Sequence, residues 1–422
     1  VSDLIEELRW RGLVAQHTDE ESLSAAFEDG PVTFYCGFDP TAPSLHHGHL
    51  VQLILMRHLQ NAGHRPLALV GGATGLIGDP RDVGERSMND TEVVEEWANR
   101  LRSQIERFLD FEAEDNPARM VNNLDWTADV SAIGLLRDIG KYFRLGTMLS
   151  KDVVARRLKS DEGISYTEFS YQILQANDFL QLLRRYGCTL QTGGNDQWGN
   201  LIGGMELIRK VEGKNVHVLT TPVITKADGT KFGKSEGGAI WLDPKMMSPY
   251  DFYQFWLQTA DEDVVRMLKA FTFLPREEIE ALEVATVEQP HARAAQKALA
   301  AEVTRFVHGD DELARVMAAT DALWGRGDLW EVDAATLASA IQDLPKTTVV
   351  PGETTVLDAL VGSSLESGRQ AALRTVKGNG LSINNVKVTD PDHVLGEEDL
   401  LAGGVVLLRK GRKTLAAGLV EN

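Results

Sequence analysis

The stretch Val32-Thr33-Phe34-Tyr35-Cys36-Gly37-Phe38-Asp39-Pro40-Thr41-Ala42-Pro43-Ser44-Leu45-His46-His47-Gly48-His49, continuing to Gly63, decides the fold. Val32 to Cys36 is mostly β-branched or aromatic and is bounded by Gly30-Pro31 and Gly37, which predicts a strand. A loop with Pro40 and Pro43 follows, and residues 50–62 then carry apolar side chains at helical spacing up to Gly63, a residue favoured just past a helix end. Leu67-Ala68-Leu69-Val70, closed by Gly71-Gly72, suits a second strand buried on both faces. Two more strands are predicted at 189–191 and 216–224, with mostly helical, well-charged sequence between 90 and 159. Strands alternating with helices make a parallel sheet covered on its faces, so the first half reads as an α/β Rossmann-like domain.

The histidines sit where the first loop enters its helix. A helix N-terminus offers unpaired N–H groups and the positive end of its dipole, a place for phosphate, and Gly48 lets a nucleotide approach the backbone. His46 and His49, three apart, can donate to phosphate oxygens as charge develops. Alone, the tetrapeptide is more often a chance cluster of surface histidines, or a set of metal ligands. A second signature, Lys231-Phe232-Gly233-Lys234-Ser235, follows a predicted strand and the Asp228-Gly229 turn. Two lysines three apart on a glycine-bearing loop suit a triphosphate and a leaving pyrophosphate, although a lone pair of this kind is more often a solvated hairpin tip. Together the two signatures point to ATP.

The chain has 422 residues, more than one ordinary core needs, so two or three domains are expected. Its 43% hydrophobic and 25% charged residues give a soluble globular balance, and no apolar run approaches the length of a membrane span. Residues 1–13 lack the uncharged core of a signal peptide, which predicts a cytoplasmic protein. Two cysteines, Cys36 and Cys188, are too few for a disulfide framework or a four-ligand zinc site, and no protein-bound metal is expected. A net charge of -19 argues against a chain that coats DNA or RNA nonspecifically, so any RNA site must be a local basic patch. From 248 to about 323 the pattern is helical throughout. A small terminal module begins near Thr354.

On residues 167–186, Tyr171, Gln175 and Asp178 fall at i, i+4 and i+7 and share one helix face in a segment rich in Phe, Ile and Leu. Turned to solvent, that face needs no explanation. Lining a pocket, it lets Asp178 accept from a phenolic O–H, with Tyr35 as a second partner, while Tyr171 and Gln175 meet an ammonium.

These features resemble the class I aminoacyl-tRNA synthetases. Within that class, the segment from Tyr35 to Thr41, Gly193-Gly194-Asn195-Asp196-Gln197-Trp198-Gly199-Asn200 and the lysine loop resemble the bacterial tyrosyl-tRNA synthetases over essentially the whole chain. The resemblance implies L-tyrosine, ATP and a tRNA as substrates, with Mg²⁺ carried by the phosphates, in a homodimer formed through a helical insertion. It implies that Asp79 joins Tyr171 and Gln175 at the ammonium, that Gln197 orients the carboxylate, and that Cys36, Gly37 and Asp39 lie beside the nucleotide. Gly194 and Asp196 would contact the ribose, Thr41, His46, Gly48 and His49 the triphosphate, and Lys231, Lys234 and Ser235 the leaving pyrophosphate, joined by Arg86. Three positions depart from the family pattern. His47 replaces an aliphatic residue. The stretch Arg81-Asp82-Val83-Gly84-Glu85-Arg86 lacks the lysine the family carries there, and Thr192 replaces another aliphatic residue.

The same resemblance divides the chain into a catalytic domain at 1–245, a helical anticodon-binding domain at 246–330, a linker at 331–353, and a small α+β module at 354–422 similar to the ribosomal-protein-S-four RNA-binding fold. There Arg369, Arg374, Lys377, Arg409, Lys410, Arg412 and Lys413 are the expected RNA contacts, with Lys151, Arg156, Arg157, Arg209 and Lys210 as weaker candidates in the catalytic half. Two other classes fit parts of the pattern. One is another class I adenylyl or nucleotidyl transferase, which the lysine loop and the Tyr171 face disfavour. The other is a noncatalytic RNA-binding protein on a synthetase fold, which the intact nucleotide residues disfavour.

Overall fold

The computed structural model describes residues 3–420 apart from 82–83, 85–86, 231 and 233–237. The chain divides into two compact units, one of Val1–Met246 with Thr259–Glu302, the other of Met247–Gln258 with Val303–Asn422. The helices between 246 and 330 are shared between them.

The first unit is built on a six-stranded sheet. Its strands are β1 (Gln16–His17), β2 (Thr33–Phe38), β3 (Arg65–Val70), β4 (Arg119–Asn122), β5 (Leu190–Gly194) and β6 (His217–Thr221), in the order β1-β6-β5-β2-β3-β4. Every pairing is parallel except the antiparallel edge β1 on β6. Strand order reverses at β2, which has β3 on one side and β5 on the other. In open α/β sheets that switch point, at the carboxyl ends of the strands, is where a crevice opens for ligand. Both predicted early strands lie here, and so do the two later ones. β4 and β1 went unforeseen, because four residues with one buried side chain, and a two-residue edge, carry little pattern.

Two helices aim residues at the switch point. The helix His47–Asn61 begins inside the histidine tetrapeptide, three residues earlier than periodicity suggests, because the His46 ring rather than a hydroxyl or carboxylate supplies the cap. The long helix Tyr166–Tyr186 is capped by Ser165 and ends at Gly187 in the left-handed region, φ 65°. It packs on Trp198–Glu212, where a Cβ on Gly204 would lie 3.1 Å from the Phe179 ring, a contact tight enough that the ring would have to give way. Tyr35, Leu67, Leu69, Val121, Trp126, Phe179 and Leu180 form the core between this helix and the sheet.

The second unit carries helices such as Pro249–Leu257 and Asp310–Leu323 and a five-stranded sheet in the order β7-β11-β10-β8-β9. These strands are β7 (Lys346–Val349), β8 (Leu381–Ile383), β9 (Val386–Val388), β10 (Val405–Lys410) and β11 (Thr414–Val420). Val356, Leu360, Val376, Leu381, Val406 and Leu408 pack between this sheet and the helices Val356–Gly362 and Arg369–Lys377. Among the described residues no helix is long and apolar enough to cross a membrane.

Candidate active site

A cavity of about 860 Å³ opens at the carboxyl ends of β5 and β6, lined among others by His47, Gly48, Asp79, Arg81, Lys151, Gly194, Asp196, Gln197, Asn200, Thr221 and Phe232. Tyr35, Tyr171, Gln175 and Asp178 are not among its lining residues; they form a deeper polar cluster.

That cluster is organised around carboxylates. Asp178, 3% exposed, accepts from Asn123 Nδ2 at 3.0 Å and from Trp126 Nε1 at 2.8 Å. Burial pushes its carboxyl up to about 7, against the pull of those two donors. The Tyr171 hydroxyl, expected at an ammonium, donates to Asp39 Oδ2 at 2.6 Å, and Asp39 Oδ1 accepts from Thr74 Oγ1 at 2.6 Å. The helix face predicted from spacing is therefore turned inward, not to solvent. Tyr35 is 1% exposed and its hydroxyl has no partner among the described residues; burial and the nearby Asp178 carboxylate hold it protonated. Gln191 pairs with Tyr35 in register on β5, so their side chains leave the same face of the sheet, and its Oε1 is buried without a partner among the described residues, as is Gln175 Oε1. Leaving such atoms unpaired is costly, and a ligand with matching polar groups removes the cost.

Toward the mouth, Asp79 accepts from Gln197 Nε2 at 2.9 Å and Asn200 Nδ2 at 3.2 Å. Lys151 donates to Asn200 Oδ1 at 3.3 Å, and burial brings its ammonium down to about 8 despite Asp79 and Glu206 nearby. A Cβ on Gly194 would lie 2.4 Å from Asp196 Oδ1 and would displace that carboxylate. Gly37 is exposed, whereas Cys36 is buried with its thiol raised to about 12; of this pair only Gly37 offers a surface to a nucleotide. Thr41 is exposed and bonded through its N–H to the Asp39 carbonyl at 2.8 Å.

At the helix N-terminus, His46 Nδ1 accepts the Gly48 N–H at 3.0 Å while the His46 N–H donates to His49 Nδ1 at 3.1 Å, a reciprocal cap made of two imidazoles. Burial lowers the His46 ring to about 4, with His47 adding to the effect, and holds His47 low and His49 lower still. All three are neutral at physiological pH. The His47 N–H donates to Ile240 O at 2.9 Å, the Leu242 N–H to Leu45 O at 2.9 Å, and the His47 and Phe232 rings meet edge-on at 6.3 Å. Residues flanking the lysine signature thus reach the histidine signature. Lys231, Lys234 and Ser235 themselves, and Arg86, lie outside the described residues.

The family described as tRNA synthetases class I (W and Y) matches residues 28–325, and the tyrosine–tRNA ligase SYY-like C-terminal domain matches 336–416. The tyrosine–tRNA ligase of Streptomyces avermitilis is 60% identical over 418 residues, 99% of each chain. The chain belongs to the class I tRNA synthetases, among the tyrosine–tRNA ligases. The ligase of Mycobacterium bovis is 52% identical over 98% of each chain. A C-terminally truncated mitochondrial tyrosyl-tRNA synthetase of Aspergillus nidulans superimposes with a TM-score of 0.68 at 32% identity, over 74% of this chain and 92% of that one.

Several residues of this synthetase escape sequence reading. Asn123 and Trp126 hold Asp178 and Thr74 holds Asp39, yet none of the three stands in a periodic pattern. Arg157, a candidate for RNA contact, is instead 1% exposed and paired with buried Glu168 at 2.8 Å; it also donates to the carbonyls of Gly163, Arg81 and Gly84. In the terminal module Arg374, Lys377, Arg412 and Lys413 are exposed, and Arg369 pairs with Asp358 at 2.8 Å. Lys410 bonds to Glu366 and Leu365 O, while Arg409 is partly buried against the Leu323 carbonyl and Asn385.

Proposed function

We propose that this ligase selects L-tyrosine by its phenol, activates it with ATP and passes it to a tRNA. One observation carries the substrate reading: the Tyr35 hydroxyl is buried with no partner among the described residues, beside a carboxylate already held by two donors. A phenol donating to Asp178 and accepting from Tyr35 completes both. Phenylalanine leaves the Tyr35 hydroxyl unpaired and brings Asp178 no third donor, and the site rejects it on that ground.

Gln175, Tyr171 and Asp79 take the ammonium, and Gln197 steers the carboxylate. That carboxylate attacks the α-phosphorus of ATP; a P–O bond forms to tyrosine, the bond to the β-phosphate breaks and pyrophosphate leaves. In the second step a hydroxyl of the terminal ribose of the tRNA attacks the activated carbonyl and AMP leaves. The protein supplies position and preorganised dipoles. Thr41, Gly48 and the neutral His46 and His49 meet the phosphates, Gly194 and Asp196 the ribose, and Lys231, Lys234, Ser235 and Arg86 the departing charge. Among the described residues no group of three His, Cys, Asp or Glu converges as a metal site, and Mg²⁺ arrives with ATP, held by phosphate oxygens and water. Arg374, Lys377, Arg412 and Lys413 offer exposed charge to tRNA, the helices of 246–330 its anticodon. Ile133, Leu136, Leu145 and Tyr166, 54% to 72% exposed, make the apolar surface through which two copies pair. The setting is the cytoplasm.

The test is exchange of labelled pyrophosphate into ATP driven by each standard amino acid in turn. Tyrosine is expected to stand far above the rest. Equal or greater exchange with another amino acid would refute the reading.

A further inference from the structure

The deep carboxylate and the nucleotide-side carboxylate are joined by an unbroken hydrogen-bonded chain. Asn123 is fully buried, and its amide orientation is fixed because Oδ1 accepts the Ala73 N–H at 2.8 Å. Its Nδ2 therefore has two protons to give: one goes to Asp178 Oδ2 at 3.0 Å, the other to Thr74 Oγ1 at 2.9 Å. A hydroxyl that accepts from an amide has a single proton left, and Thr74, 2% exposed, places it on Asp39 Oδ1 at 2.6 Å. Tyr171 supplies the other Asp39 oxygen at 2.6 Å. Every proton in the chain thus has one assignable direction, from Asn123 outward to the two acids.

The backbone is built around this junction. A Cβ on Gly71 would lie 1.9 Å from Asp39 Oδ1 and 2.4 Å from Thr74 Oγ1, so any side chain there displaces the bond between them. The glycine that closes β3 thus leaves room for the relay. The two acids also feel one another: the Asp39 charge is one of the influences raising the Asp178 carboxyl.

We infer that Thr74, through Asn123, is a positioning residue that couples occupancy of the phenol end at Asp178 to the orientation of Asp39 beside the nucleotide. The inference rests on the tyrosine reading given above. A phenol donating to Asp178 competes with Asn123 for its lone pairs, which shifts the amide toward Thr74 and strengthens the hydroxyl bond to Asp39, as bonds in a chain polarise one another. Tyrosine binding then improves the ATP site without touching it, and ATP improves tyrosine binding by the same factor.

The experiment uses the full chain with Thr74→Val, which matches the shape but has no hydroxyl, and Thr74→Ser, which restores the hydroxyl. Tyrosine affinity is read by equilibrium dialysis without ATP, and then with an unreactive ATP analogue; kcat and KM for ATP are read from tyrosine-dependent pyrophosphate exchange. Thr74→Val should keep tyrosine affinity within about threefold, lose the gain conferred by the analogue, and drop about tenfold in kcat/KM for ATP, while Thr74→Ser stays at the wild-type values. If Thr74→Val does not fold, Thr74→Ala must show the same split. Identical behaviour of Thr74→Val and Thr74→Ser would overturn the relay alone, as would a variant that loses tyrosine binding and ATP turnover equally. Absence of tyrosine-driven exchange in the unmutated protein would overturn the relay and the function together.

Discussion

The two ends of the site solve opposite electrostatic problems. At the deep end Asp178 sits in a nearly dry core held by two donors, and the half-buried Asp39, toward the nucleotide side, accepts from Tyr171 and Thr74. At the mouth three histidines crowd one helix start, and burial strips all of them of charge. The difference shows what each end is for. A buried acid with a neighbouring unsatisfied phenol distinguishes one hydroxyl from none, because the wrong ligand leaves groups unpaired. Neutral imidazoles and a helix N-terminus favour phosphate without trapping it, so pyrophosphate is free to leave.

The largest break in that contrast is Asp178→Asn, which puts an N–H donor where Asn123 and Trp126 already donate. We expect kcat/KM for tyrosine in pyrophosphate exchange to fall about a thousandfold, the sum of a lost charged hydrogen bond and an unsatisfied buried donor, with KM for ATP little changed. Loss of ATP binding instead would move Asp178 to the wrong end. His46→Ala addresses the mouth: exchange kcat should drop about a hundredfold, the usual cost of one preorganised donor. It should also cost about 1 kcal/mol of stability in urea melts through loss of the cap.

A smaller effect follows from pH. The Asp178 carboxyl is raised to about 7 in the free protein, and the ionised form is the one a phenol binds best. Uptake of a proton therefore competes with tyrosine as pH falls through that value. Affinity should be flat above it and weaken below it by at most about tenfold per pH unit, a dependence that Asp178→Asn abolishes. The smallest effect serves as a control on both ends. Arg412→Ala with Lys413→Ala should raise KM for tRNA about fivefold and flatten its salt dependence, with adenylate formation untouched.

Local pattern revealed the parts of this molecule that are local. The run from Val32 to Gly63 carries its strand, loop and helix in consecutive residues, and Tyr171, Gln175 and Asp178 share a face because a helix repeats every 3.6 residues. The partners of that face are another matter. Asn123 and Trp126 follow β4, a strand too short to announce itself, and Thr74 follows β3; parallel pairing of β3 with β4 brings them together. No spacing within one segment encodes a contact across 55 residues such as Asn123 to Asp178. Lys151 likewise reads as surface charge for RNA, and its half-buried place beside Asn200 depends on a distant helix. The charge of Arg157 gave no hint of its burial against Glu168.

The division of labour is tested most directly by equilibrium dialysis of tyrosine, without ATP, against Asp178→Asn and His46→Ala. Asp178→Asn should weaken tyrosine at least about a hundredfold while His46→Ala stays within about twofold of the unmutated protein. Equal weakening by both would show that the two ends are not separate, and an unchanged affinity in Asp178→Asn would show that the phenol is read elsewhere.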